Sequence, residues 1–102
     1  MRYNAGVNVG ILKIHLRLPE NSSLKGKRQV LKSIIAQLRN HFNVSVAEVE
    51  DNDLWRSAVI GVACLSNDQR FTNEVLSKAV NLVEKGRFEM EMANYEIEII
   101  NL

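Results

Sequence analysis

Hydrophobic and polar residues alternate near the beginning of the chain. In the segment VGILKIHLRL, residues 9–18, Leu or Ile occupies every even position from 12 to 18, while Lys13, His15 and Arg17 occupy odd positions. This period of two predicts a β-strand with one buried face. The proline that follows removes a backbone donor and ends the strand.

Apolar residues then recur every three or four positions up to Phe42, which predicts an amphipathic helix with Ser22 or Ser23 as its N-cap. A second helix is predicted further on, and Gly86 suits the left-handed residue that often follows a helix. The other predicted elements are strands at 44–50, 57–65 and 90–100, a turn at 51–55 and an N-cap segment at 66–68.

The element order β-α-β-β-α-β predicts a ferredoxin-like α+β sandwich, in which two helices cover one face of a four-stranded antiparallel sheet. The chain of 102 residues fits a single domain at 9–102 preceded by an N-terminal extension at 1–8. On the uncovered face we expect cross-strand ion pairs between basic residues of the first strand and Glu96 or Glu98 of the last one.

Composition narrows the protein class. Cys64 is the only cysteine, so an intrachain disulfide is excluded, and its apolar neighbours predict a small buried side chain. No apolar run is long enough for a membrane helix and no signal peptide is recognisable, so a cytoplasmic protein is expected.

The net charge of +1 conceals an asymmetry between the two halves. Residues 1–47 contain eight Lys or Arg and one acid, whereas residues 48–102 contain five bases and eleven acids. No acid occurs between Asn21 and Ala47. This distribution indicates either an anionic partner for the first half or pairing between the two halves.

Basic residues form a ridge on the first predicted helix. At 100° per residue, Lys25, Arg28, Lys32 and Arg39 fall within about 60° of one another. Lys27 points closer to the core, so its ammonium is expected to reach around the helix end. With Ser23 and the first-turn N–H groups, these cations could bind a phosphate, most plausibly of RNA. The alternative is a solvated basic face that pairs with acids elsewhere in the fold.

The loop after the second predicted strand has two plausible roles. Carboxylates cluster there, but their spacing matches no EF-hand, so a polar hairpin end is favoured over a metal site. Trp55 is expected to fold back onto the core; if exposed, it would mark an interface together with Leu54. No catalytic motif occurs, so neither an enzyme nor a cofactor is expected.

Motifs of known RNA-binding folds are absent as well. The strand at 57–65 lacks the aromatic residues that stack bases in an RNA-recognition motif, and there is no GxxG. RNA would therefore be contacted through its backbone or shape, in a salt-sensitive manner.

A set of short segments matches the pattern of a known family. The matching residues are Ser23, Leu24, Lys25, Lys27, Arg28, Phe42 to Val49, Asp51, Asp53 to Trp55, Ala58 to Ala63 and Ser66 to Asp68. This set resembles the YlxP-like family, small bacterial proteins with a domain of unknown function. The resemblance implies a ferredoxin-like fold and no established catalytic residue. The family's genes often lie beside those of transcription, translation-initiation and ribosome-maturation factors, which suggests an RNA- or ribosome-related role. Gly26 departs from the family, whose members often have a polar residue there.

Together these observations predict a non-enzymatic accessory module that binds RNA or a ribosomal particle through its first helix. The alternative is a self-associating or protein-docking scaffold that does not bind nucleic acid.

Overall fold

Four strands and two helices follow one another in the order predicted by the sequence pattern, β-α-β-β-α-β. The computed structural model describes residues 6–102, so residues 1–5 of the predicted N-terminal extension lie outside the described part. Val7 and Leu102 exchange two backbone hydrogen bonds of 3.0 and 2.8 Å. The elements are β1 (Asn8–Arg17), α1 (Leu24–His41), β2 (Ser45–Glu50), β3 (Ser57–Ser66), α2 (Gln69–Lys85) and β4 (Glu91–Asn101).

The strands form one antiparallel sheet in the order β2-β3-β1-β4. Both helices pack on the same face of this sheet, which confirms the ferredoxin-like α+β fold. The even-numbered residues of β1 enter the core, with Leu12 and Ile14 fully buried, because alternate side chains of a strand point to opposite faces. Neither helix of the described residues is long and apolar enough to cross a membrane.

Side-chain caps begin both helices. Ser23 accepts a hydrogen bond from the backbone N–H of Gly26, and Asp68 accepts one from the N–H of Arg70. Both caps confirm the sequence prediction, since Ser and Asp side chains satisfy N–H groups that lack a partner within the helix.

Gly86 differs from its prediction. Its φ is −70°, so the residue after α2 is extended and not left-handed. A Cβ at this position would lie 2.7 Å from Cδ2 of Phe88 and 3.0 Å from the carbonyl oxygen of Leu82. Glycine is therefore required for the close approach of the Phe88 ring.

Ion pairs cover part of the face opposite the helices. His15 Nε2 lies 3.1 Å from Glu96 Oε1, as expected for neighbouring strands. Lys13 pairs instead with Glu50 of β2, at 2.6 Å between Nζ and Oε2. The hydrogen bond between them raises the pKa of Lys13 and lowers the pKa of Glu50.

Two strand glycines provide a matched test of packing. A Cβ on buried Gly10 would lie 2.7 Å from Cδ1 of Leu76, inside the interface with α2. A Cβ on Gly61 would lie 2.9 Å from Cγ1 of exposed Val49. We expect Gly10→Ala to lower the free energy of unfolding by about 1–3 kcal/mol because the core must shift to accept it. Gly61→Ala should change it by less than about 1 kcal/mol, since Val49 can move into solvent. Chemical denaturation measures the free energy of unfolding of both variants. Equal losses would contradict the close packing of Gly10 against α2.

Candidate functional site

The side chain of Lys27, in the first turn of α1, is fully buried. Its Nζ lies 2.8 Å from Oε2 of Glu48 and donates to the carbonyl oxygens of Asp51, at 2.7 Å, and Ser57, at 3.2 Å. The expectation that this ammonium reaches around the helix end to solvent is therefore wrong. Because its donors are occupied inside the protein, Lys27 is not available to an external anion.

The other partners of this ammonium are shaped to receive it. Asp51 has a φ of 63°, in the left-handed region that Asp tolerates better than most residues, and this bend directs its carbonyl oxygen to Lys27. The side chain of Glu48 is only 17% exposed, and within the described part of the chain its Oε2 accepts no hydrogen bond and is in contact with the Lys27 ammonium as an ion pair. The Lys27 ammonium thus joins the start of α1 to the end of β2 and to the following turn.

A second set of hydrogen bonds holds the same turn from the loop before α1. The Nδ2 of Asn21 donates to the carbonyl oxygens of Ser23, at 2.7 Å, and Trp55, at 2.5 Å. Arg56 Nε donates to the carbonyl oxygen of Asn21 at 3.0 Å. A side chain at Gly26 would collide with the Asn21 amide, so glycine leaves the space that this amide occupies.

Trp55 lies on this turn and is 53% exposed, as is Leu54. The expectation that Trp55 folds back onto the core is wrong. The turn is instead fixed through its backbone, by Lys27 on one side and Asn21 on the other, and presents both apolar side chains outward. Their role as interface residues stays a prediction.

Ser23 is used by the helix itself. Its hydroxyl oxygen accepts from the N–H of Gly26 at 2.9 Å, and its carbonyl oxygen accepts from the N–H of Lys27 at 3.1 Å. The bond from Gly26 satisfies one of the first-turn N–H groups that could otherwise bind a phosphate, and the bond from Lys27 is the first regular bond of the helix. The helix start is therefore less open to an anion than the sequence suggests.

The remaining cations of the ridge are exposed on α1. The three ion pairs of the described residues use Lys13, His15 and Lys27, and none involves Lys25, Arg28, Lys32 or Arg39. We refer to these four residues as the basic ridge.

Arg39 of the basic ridge also has a structural contact. Its Nη2 donates to the carbonyl oxygen of Val46 at 3.0 Å, at the outer edge of the sheet. A guanidinium has five N–H donors, so others stay available. Arg28, Lys32 and Arg39 line a groove between α1 and β2 whose apolar lining includes Leu31.

Other candidate chemistry is dispersed. The carboxylates at the end of β2 have different partners, since Glu48 pairs with Lys27 and Glu50 with Lys13. No three metal-ligating side chains cluster within residues 6–102. Cys64 is buried as predicted, and burial raises the pKa of its thiol. Its burial and raised pKa disfavour a nucleophilic role.

Lys27→Met tests the buried ammonium. We expect it to lower the free energy of unfolding by about 3–5 kcal/mol because Glu48 then lacks its only described partner. Lys25→Met is the matched control: it lies in the same turn but is exposed, so it should change stability by less than about 0.5 kcal/mol. Chemical denaturation separates the two, and combining Lys27→Met with Glu48→Met should recover part of the loss. Equal effects of Lys27→Met and Lys25→Met would refute a structural role for the buried pair.

Comparisons with known proteins agree with the fold. A designed protein, De novo designed protein Foldit4, aligns with 94% of this chain and 96% of its own, at a TM-score of 0.53 and 15% identity. This likeness concerns the fold alone. Uncharacterized protein YlxP of Bacillus subtilis (strain 168) is 30% identical over 76 residues, which are 74% of this chain and 83% of that protein. The model of the family described as Protein of unknown function (DUF503) matches residues 9–97. The chain therefore belongs to the DUF503 family.

Proposed function

We propose that this protein is a non-enzymatic accessory module of the cytoplasm that binds structured RNA, free or in a ribosomal particle, through the basic ridge. One observation carries the proposal: the four cations of the basic ridge are exposed side by side along one helix, and none of them has an ion-pair partner among the described residues. The alternative of a basic face neutralised within the fold is therefore disfavoured.

The geometry of α1 suits a phosphate backbone. Lys25 and Arg39 are fourteen residues apart, which at 1.5 Å per residue extends the basic ridge over about 21 Å of helix. Lys and Arg bind phosphate oxygens without reading base sequence, and each contact releases counterions. Binding through this ridge should therefore be tolerant of sequence and strongly weakened by salt.

The role of the basic ridge is tested by reversing three of its charges and comparing the result with three charge reversals on α2. We expect the triple variant Lys25→Glu, Arg28→Glu and Lys32→Glu to weaken binding to a short RNA duplex by at least about 10-fold at low salt. Filter binding over a salt series should also show a shallower slope of log K against log salt, by about 0.9 for each lost phosphate contact. The control carries three reversals at exposed positions of α2, namely Arg70→Glu, Lys78→Glu and Lys85→Glu.

The control has the same net charge as the ridge variant, so equal losses would show non-specific attraction and contradict a site on α1. Loss of fold is separated from loss of binding by thermal melting. Lys25→Glu places an acid in the first turn, where the helix dipole favours it by about 0.3–1 kcal/mol. The ridge variant is therefore not expected to fail by unfolding.

Self-association is the second candidate function, and the uncovered sheet face favours it. Val9 of β1 lies between Leu65 of β3 and Ile100 of β4 in one row across the sheet, and Ile11 lies on the same face. Leu65 is 68% exposed, and Ile100 and Ile11 are exposed as well. Adjacent exposed apolar side chains of this kind are typical of interfaces, since a second copy would remove them from water.

Sedimentation analysis over a concentration series tests this second candidate. If this face joins two copies, Leu65→Lys should give a monomer under conditions where the wild-type chain associates, because a charge would be buried at the contact. The ridge variant described above should associate as the wild type does. A wild-type chain that stays monomeric at high concentration in both low and high salt would refute self-association through either apolar or charged surfaces.

A further inference from the structure

The turn after β2 presents an aromatic side chain that the fold itself does not use. Trp55 is the only tryptophan of the chain and is 53% exposed, with equally exposed Leu54 beside it. A half-exposed tryptophan leaves a large apolar surface in water. When a partner buries this surface, it contributes strongly to the binding affinity. The burial expected from its size therefore does not occur among residues 6–102.

The backbone of this turn is held at several points. Lys27 donates to the carbonyl oxygens of Asp51 and Ser57, Asn21 donates to that of Trp55, and the N–H of Leu18 donates to the carbonyl oxygen of Arg56 at 2.9 Å. A side chain on a loop that is already ordered loses less conformational freedom when it binds a partner. Trp55 is therefore presented on an ordered loop.

The same contacts join the turn to the end of α1 at which the basic ridge begins. Asn21 and Lys27, which hold the turn, lie just before and within the first turn of α1. Lys25 is exposed in that helical turn, and Arg28 is exposed directly after it. An aromatic side chain next to a row of cations is the combination with which proteins bind single-stranded nucleic acid, because bases stack on the ring while phosphates contact the cations.

We propose that Trp55 is a stacking site for an unpaired RNA base, next to the phosphate contacts of the basic ridge. This inference rests on the proposed function and gives it a substrate class, RNA with a single-stranded segment such as a loop or an end. Stacking requires no particular base, since every base has an aromatic face. The preference is therefore for unpaired over paired RNA and not for a sequence.

The charges around the turn favour one side of Trp55 for the phosphates. Asp53 is exposed two residues before Trp55 and repels phosphate, whereas exposed Arg56, directly after Trp55, attracts it. Lys25 and Arg28 on the adjoining helix attract it as well. We expect the phosphates that flank the stacked base to lie on the side of Arg56 and α1. Asp53→Asn should accordingly tighten binding at low salt by about 2- to 5-fold, as expected for removal of one exposed like charge.

Intrinsic fluorescence tests the stacking directly because the chain has one tryptophan. The probes are an oligouridylate of about twelve nucleotides, within the usual length of single-strand sites, an RNA duplex, and heparin as a polyanion without bases. We expect the oligouridylate to quench Trp55 emission on binding, while duplex and heparin bind without comparable quenching.

Substitutions separate stacking from charge. Trp55→Ala should weaken oligouridylate binding by about 5- to 100-fold and leave duplex and heparin binding within about 2-fold. Trp55→Phe should retain most of the oligouridylate affinity, since the smaller ring still stacks. The matched control is Phe71→Ala on α2, which removes another half-exposed aromatic and should leave all three affinities unchanged.

The outcomes distinguish the two proposals. Binding that depends on the basic ridge, without quenching and without loss in Trp55→Ala, would overturn the stacking site and leave RNA binding by the ridge intact. Absence of binding to both oligouridylate and duplex at low salt would overturn both. If Trp55→Ala does not fold, quenching of the wild-type protein and the affinity of Trp55→Phe still decide the question.

Discussion

The buried ammonium of Lys27 is the contact on which the arrangement of the candidate site depends. Removing an ammonium and a carboxylate from water costs several kcal/mol per ion, and this is offset only when good geometry and additional hydrogen bonds are present. Here Glu48 supplies the opposite charge, and carbonyl oxygens of the turn after β2 accept the remaining donors. Since hydrogen bonds are directional, this cluster fixes the turn relative to the start of α1 as well as stabilising it. The exposed position of Trp55 is one consequence.

The ion pairs also explain why the basic ridge is unpaired. Two of the three hold acids away from α1, since Glu50 and Glu96 lie on the sheet face opposite the helices. The third acid, Glu48, borders the groove beside the basic ridge but is paired with Lys27 of α1. Because no acid occurs in the chain from Asn21 to Ala47, α1 itself provides none. The uneven distribution of charge along the sequence thus becomes an uneven distribution of charge over the surface of the fold.

The fold was predictable because it depends on local patterns. Alternation placed the even residues of β1 in the core, and Ser23 and Asp68 marked the helix starts. The site was less predictable because it depends on backbone contacts between distant segments. A helical wheel gives the direction of Lys27 but not the left-handed turn at Asp51 that receives it. Hydrophobicity alone favours a buried Trp55, and nothing in its own neighbours reveals that Asn21, thirty-four residues earlier, holds its carbonyl oxygen.

The three cations near the beginning of α1, Lys25, Lys27 and Arg28, do not contribute equally to stability. A helix N-terminus disfavours positive charge by about 0.3–1 kcal/mol for each exposed residue, and neighbouring cations repel one another as well. For Lys27 this penalty is offset by Glu48 and the turn carbonyls. Lys25 and Arg28 have no such ion pair among the described residues, so their charges oppose folding slightly without a visible structural return. This unfavourable energy is the physical reason to seek a partner for Lys25 and Arg28 outside the chain. An anion bound along α1 would make the contribution of these two charges favourable.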